Sequence, residues 1–332
     1  MTRMRMIAGC ALGILVAVAA SRVVDAQQKP LTIRLGVHTS MMGAGDVIAI
    51  RQGYFKQEGL DVEWRRFALG KEGRDAMIAG AIDINATAPT PFLIGLDKGI
   101  PYTVVAVNSL FCGTNHLVTL KQSDINSVGQ LKGKRIGLPK GTITEYVFLT
   151  RIAPAHGLRS GDFEVANIPD AKDRVPSLVA KAVDMIADGD PFVAIAEHEG
   201  IVRSLEDFCK YDPLPFMLTV TNKAIKEKPD AVVAYLRGWL RAVKLMKEQP
   251  DTAAAVYADE QKSLGRDVPV AVLDKALRRM RWEPEITPRM EKYLQDQAKD
   301  LVAGLGEGRL KSIPDILKAL NRDLLKKAMA AR

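Results

Sequence analysis

Histidine and cysteine are scarce in this chain, four and three among 332 residues. The histidines are scattered, with no H-E-x-x-H run and no Cys/His pair at ligand spacing, so no metal centre is expected. No G-x-S-x-G turn occurs, which removes a common hydrolase signature. The phosphate-loop order is missing too: in Pro139-Lys140-Gly141-Thr142 the lysine precedes the glycine, the reverse of a nucleoside triphosphate site. Gly304, Gly306 and Gly308 alternate after a helical pattern, not after a strand, and fail as a dinucleotide turn. Neither a cofactor nor a catalytic set is therefore expected. Beyond the N-terminal segment no apolar run is long enough to span a bilayer, so the processed chain is not expected to be an integral membrane protein. Basic residues exceed acidic ones, for a net charge of +8. The excess is dispersed and has no interleaved aromatics, which argues against nucleic acid as a partner.

The N-terminus holds a secretory pattern. Arg3 and Arg5 form a basic start, Ile7 to Ala20 is almost wholly apolar, and Val24-Asp25-Ala26 offers small residues for cleavage. Export and cleavage after Ala26 are expected. Ile7-Ala8-Gly9-Cys10 resembles a lipoprotein cleavage box, but there the apolar run precedes the cysteine and here it follows. Cys10 is thus assigned to the discarded peptide. Losing Arg3, Arg5, Arg22 and Asp25 takes the net charge from +8 to +6. A mild positive field favours anionic solutes, although solubility alone explains it equally well.

The body of the chain contains one pattern twice. Residues 31–91 read as strand, loop, helix, Gly59-Leu60, strand, helix, Ala81-Ile82-Asp83, strand, loop and proline (Pro89, Pro91). Residues 134–191 repeat it, with Gly157-Leu158, Ala182-Val183-Asp184 and Pro191 at corresponding places. Alternating strands and helices predict βαβ units around a parallel sheet. Two such units predict two lobes facing each other across a cleft, since ligands bind beyond the carboxyl ends of parallel strands. The loops at those ends nominate His38, Thr39, Ser40, Met41, Leu69, Gly70, Thr87, Thr90 and Asn108 from the first lobe. The second lobe offers Gly141, Thr142, Ile143, Thr144, Asp188 and Asp190. Gly141 to Thr144 open a helix whose free N–H groups suit an oxyanion; alternatively Thr142 or Thr144 is only its N-cap. Asp190-Pro191 reads as an N-cap with proline at the first helical position, or as a carboxylate facing a ligand amine.

After Asn222 the chain turns helical. Asp230 to Lys247 places Val232, Leu236, Trp239, Leu240, Val243 and Met246 on one face, and helices are expected near 270–281, 288–303 and 314–330. With no linker before them, they are counted with the first lobe. The expected division is a signal peptide at 1–26, a first lobe of 27–109 with 222–332, and a second lobe of 110–221. Cys112 and Cys209 fall at the two crossings between lobes, where an oxidising compartment would allow a disulfide if the crossings lie side by side.

Gln52-Gly53-Tyr54-Phe55-Lys56-Gln57-Glu58-Gly59-Leu60-Asp61-Val62-Glu63 resembles a segment of the nitrate/sulfonate/taurine-type periplasmic substrate-binding proteins. So do Gly80-Ala81-Ile82-Asp83, Leu131-Lys132-Gly133-Lys134-Arg135-Ile136-Gly137 and Lys228-Pro229-Asp230. The resemblance implies an α/β chain of the type II periplasmic-binding-protein fold: two lobes, a ligand cleft and a two-strand hinge. It implies a periplasmic, monomeric receptor of an ABC importer, without cofactor, handing a small polar solute to a permease driven by a separate ATPase. The same family includes binding proteins for thiamine-pyrimidine precursors and related fungal enzymes, whose cysteine-rich motif this chain lacks. A receptor that presents its ligand to a membrane sensor is a further alternative. Asp190 stands where many members carry Glu or Trp.

Overall fold

The computed structural model describes residues 30–111, 113–305 and 310–330. The signal-peptide segment and its Cys10, together with Cys112, Gly306 and Gly308, lie outside the described residues. Ten strands form two five-stranded sheets. They are β1 (Leu31–His38), β2 (Leu60–Phe67), β3 (Ile84–Thr87), β4 (Tyr102–Leu110), β5 (Asn115–Leu120), β6 (Arg135–Leu138), β7 (Glu164–Asn167), β8 (Met185–Gly189), β9 (Val202–Asp207) and β10 (Pro215–Thr221). The orders are β2-β1-β3-β10-β4 and β7-β6-β8-β5-β9. In each sheet three parallel strands adjoin one antiparallel strand that arrives from the other lobe, β10 in the first and β5 in the second. This is the mixed α/β, two-lobe architecture that the repeat predicts.

The repeat extends to single hydrogen bonds. Asp83 accepts from the Arg34 amide at 3.0 Å, and its own amide donates back to the Arg34 carbonyl at 2.7 Å. Asp184 and Arg135 make the same exchange, at 2.8 and 2.9 Å. The Asp of each A-x-D turn thus ties the entry of β3 or β8 to β1 or β6 and fixes parallel register before the ladder begins. The same register stacks Leu35 on Ile84 in one lobe and Ile136 on Met185 in the other.

The two crossings run side by side. The Phe111 amide donates to the Leu214 carbonyl at 3.0 Å, and Phe111 meets Phe216 with ring centroids 4.7 Å apart. Cys209 is disulfide-bonded; because Cys112 lies outside the described residues, its pairing with Cys209 remains a proposal. The return crossing comes earlier than the division at residue 221 assumes. β10 pairs with β3 and β4 in the first sheet, where its residues Pro215 to Val220, apolar but for Thr219, are buried on both faces.

Other boundaries also shift. The expected helix Asp46–Gln57 is two helices, Ala44–Arg51 and Tyr54–Gln57, broken where Gly53 takes φ 68°. β9 carries Arg203, Ser204, Glu206 and Asp207 and gave no apolar run to detect. A further helix, Pro250–Ser263, lies between the expected ones and starts on a proline, a residue that usually marks a helix's end when met downstream of one. The expected helix at 314–330 is a short turn, Leu317–Ala319, then a bridge from Leu320 to Val104, then the helix Asp323–Ala330.

The helix Pro229–Glu248 closes the first lobe. It buries Trp239, Tyr235 and Leu236 completely, stacks Tyr235 on Phe55 at 5.3 Å, and donates the Tyr235 hydroxyl to Asp46 Oδ1 at 2.7 Å. Asp46 is itself buried, and burial pushes its carboxyl up to about 7. A carboxyl whose pKa is raised on folding stabilises most below its unfolded value near 4, and that stability is lost as pH rises through about 7. Asp46→Asn keeps an acceptor for Tyr235 and removes the ionisation. Its melting temperature relative to the parent chain is expected to rise by roughly 2–4 °C between about pH 5 and about pH 8. An offset that is constant over that range would refute the assignment.

Candidate functional site

The carboxyl ends of β1, β2 and β3 meet those of β6, β7 and β8 across one cavity of about 120 Å³. His38, Thr39 and Ser40 follow β1, Leu69 and Gly70 follow β2, Gly141 to Thr144 follow β6, and Asp188 and Asp190 stand at the end of β8; all line the cavity. Four expected residues do not. Met41 turns fully into the core and its neighbour Met42 faces the cavity instead, because a 3-10 turn, Met41–Gly43, replaces a regular loop. Thr87 lies behind Gly70, where a Cβ on the glycine would stand 3.6 Å from its hydroxyl. Thr90 is fully buried and accepts from Gln297 Nε2 at 2.7 Å. Asn108 is buried and donates from Nδ2 to the Met42 carbonyl at 2.9 Å, holding the loop rather than forming the wall.

Sequence reasoning passed over Arg174. It sits in the helix Ala171–Val179, is 6% exposed, and lines the cavity. Its Nε donates to the Ile168 carbonyl at 2.9 Å and its Nη2 to the Pro169 carbonyl at 2.8 Å, while its Nη1 pairs with Asp188 Oδ1. The guanidinium therefore joins the loop after β7 to the end of β8. Three of its five N–H groups are used in this way, which leaves two for a solute. A helical arginine among polar neighbours carries no local mark of such a role.

His38 stands on the opposite lobe. Its Nδ1 accepts from the Ser40 amide at 3.2 Å and lies 2.8 Å from the Ser40 hydroxyl. That bond places the ring proton on Nε2, a buried donor with no partner among the described residues. Burial, reinforced by the positive charge of Arg174, pushes the imidazole down to about 3, so it is neutral at physiological pH. The carboxyls move the other way. Burial raises Asp188 to about 6 against the pull of Arg174, and Asp190 to about 7 against that of Arg279. Oδ2 of each is buried without a hydrogen bond. Asp190 also accepts from the Ala194 amide at 3.1 Å, so it serves the helix start while facing the cleft.

The helix start after β6 is partly occupied. Glu145 accepts from the Gly141 amide at 2.7 Å, and the Thr142 hydroxyl donates to the Pro139 carbonyl at 2.7 Å and makes no cap bond. Any anion at this helix start would compete with the chain's own carboxylate. The lobes also touch across the cleft. Arg279 lies 3.5 Å from Asp190, the Tyr146 hydroxyl donates to Asp300 at 2.5 Å, and the Arg266 guanidinium stands 5.2 Å over the Phe192 ring. Among the described residues no group of His, Cys, Asp and Glu is placed to hold a metal ion, and no helix is long and apolar enough to cross a membrane.

The fold matches that of known proteins. The crystal structure of the periplasmic aliphatic sulphonate binding protein SsuA from Escherichia coli superposes with a TM-score of 0.74. It is 20% identical over 89% of this chain and 93% of that one. Among curated proteins, the formylaminopyrimidine-binding protein of Halalkalibacterium halodurans is 25% identical, over 64% of this chain and 65% of its own length. The taurine-binding periplasmic protein of Escherichia coli is 24% identical, over 60% of this chain and 61% of its own length. The match thus spans under two thirds of both curated relatives, and each is named as a binding protein. The family model described as NMT1/THI5 like matches residues 42–253, and the chain belongs to that family.

Proposed function

We propose that this chain is the periplasmic solute receptor of an ABC importer, capturing a small oxyanion-bearing solute between its lobes. The observation that carries this reading is the convergence of both sets of strand tips on one cavity with a buried guanidinium in its wall. Adjacent crossings allow the lobes to rotate as rigid bodies, and a solute touching both lobes favours the closed arrangement through its added contacts. The signal pattern, cleaved after Ala26, supplies the compartment. A permease and its separate ATPase are the partners such a receptor requires. The Ser40 hydroxyl lies 2.8 Å from His38 Nδ1, but burial pushes that imidazole down to about 3, too weak a base to activate a hydroxyl, so capture rather than turnover is the reading we favour.

A pyrimidine precursor is the second reading. It is favoured by Asp188 Oδ2 and Asp190 Oδ2, buried acceptors that a ring amino group would satisfy. A thermal-shift screen followed by calorimetry, with nitrate, taurine, alkanesulfonates, carboxylates and aminopyrimidines, tests both. Stabilisation by an oxyanion series is expected. Stabilisation by aminopyrimidines alone would select the second reading, and no stabilisation by any class would remove the receptor reading.

A further inference from the structure

The cavity wall is more apolar than charge recognition needs. Phe111 and Phe216 at the crossings and Phe192 on the second lobe line it, together with Met42, Leu69 and Pro91. Phe192 is half-buried and its ring is backed by Arg266, whereas Phe111 and Phe216 are buried against each other. A small charge-dense ion such as nitrate gains nothing from these surfaces. A ring laid against them removes apolar area from water on both partners and gains edge and face contacts with the phenyl groups. The volume, about 120 Å³, is of the order of the roughly 150 Å³ apolar cavity that accepts benzene in another protein.

Charge limits the other end of the solute. Arg174 and Lys71 line the cavity, but so do Asp170, Asp188 and Asp190. Arg174 is paired with Asp188, and Asp190 lies beside Arg279. The wall therefore carries no surplus of positive charge for a doubly charged anion. One oxyanion can still be held by the remaining guanidinium N–H groups and by the unpartnered, nine-tenths-buried His38 Nε2.

From these observations we infer that the receptor's solute is an aromatic monoanion, a single ring bearing one carboxylate or sulfonate. The inference rests on the receptor reading above and narrows its substrate class. Calorimetry on the full processed chain, with headgroups matched, tests it. Benzoate is compared with acetate, and benzenesulfonate with methanesulfonate. Each ring compound is expected to bind at least about tenfold more tightly than its methyl counterpart, and phthalate, a dianion, more weakly than benzoate. Whichever headgroup binds more tightly identifies the oxyanion. Phe192→Leu, which keeps apolar bulk and loses the ring face, is expected to lower the benzoate-to-acetate ratio by roughly threefold or more. Ring preferences below tenfold for both headgroups, an undiminished ratio in that variant, or phthalate binding as tightly as benzoate would each overturn the inference. If taurine, nitrate or alkanesulfonates bind while the ring compounds do not, only the substrate class fails. If no oxyanion of any class binds, the oxyanion reading on which it rests fails with it.

Discussion

Replacing Arg174 by alanine is expected to abolish measurable solute binding and to cost about 3–5 kcal/mol of stability. The change removes the partner of a buried carboxylate, Asp188, and leaves the carbonyls of Ile168 and Pro169 without their donor. Breaking a buried pair from one side costs far more than the pair's net contribution, because the remaining charge stays out of water. Some relief is available, since Asp188 can take up a proton; its carboxyl already stands at about 6. The loss should therefore be smaller at acid pH than at neutral pH. Arg174→Lys keeps the charge but not the fork that reaches three acceptors, and should recover only part of the stability. Urea denaturation of Arg174→Ala, Asp188→Asn and the double variant gives the coupling energy directly. A single-variant loss under about 1 kcal/mol would show that the guanidinium does not hold the ends of β7 and β8 together. Solute affinity that survived in the folded variant would remove Arg174 from the binding site.

Trp239→Ala is expected to lower stability by about 3–5 kcal/mol, by leaving a cavity that the surrounding chain fills only in part. Trp239 is fully buried in the middle of the helix Pro229–Glu248. It lies hard against the helix Ala44–Arg51: a Cβ added at Gly45 would stand 2.6 Å from its Nε1. Gly45 is small because the indole occupies that space. Its Nε1 has no hydrogen-bond partner among the described residues, so the truncation also relieves a small polar cost, which places the result toward the lower half of that range. Guanidinium denaturation checks it. A loss under about 1 kcal/mol would show that the C-terminal helices rest on the first lobe without completing its core.

The cleft, the repeat and the helical tail were legible in the sequence because their signals are local. Gly59 and Gly157 each take positive φ, at 70° and 74°, just after a helix ends. Asp83 and Asp184 each cap a strand entry through a bond to a neighbouring strand. Apolar residues at helical spacing located Trp239 and its face before any partner was known. Where such signals were faint, the elements were lost. β9 is half charged, and the helix Pro250–Ser263 begins on a proline. Its buried Glu260 is bound by Arg51 and Arg66 at 2.6 Å each, a contact between residues some two hundred positions apart that no window along the chain can display.

The candidate site divides in the same way. Sequence alone determined which loops reach the cleft, since the carboxyl ends of parallel strands follow from strand order and hand. It therefore nominated His38 to Ser40, Leu69 and Gly70, Gly141 to Thr144, Asp188 and Asp190. Only the tertiary structure decided which side chains within and behind those loops face the cavity. A single 3-10 turn exchanges Met41 for Met42. Packing of the helix Pro288–Val302 draws Thr90 away toward Gln297. Arg174 gains its importance from Ile168, Pro169 and Asp188, and the aromatic wall is assembled from Phe111, Phe192 and Phe216, a crossing, a helix and a strand far apart in the chain. Backbone periodicity and turn chemistry act between neighbours and leave their mark in sequence. Burial, pairing and desolvation act between residues brought together by folding, and they exist only once both sheets have formed and closed on the same space.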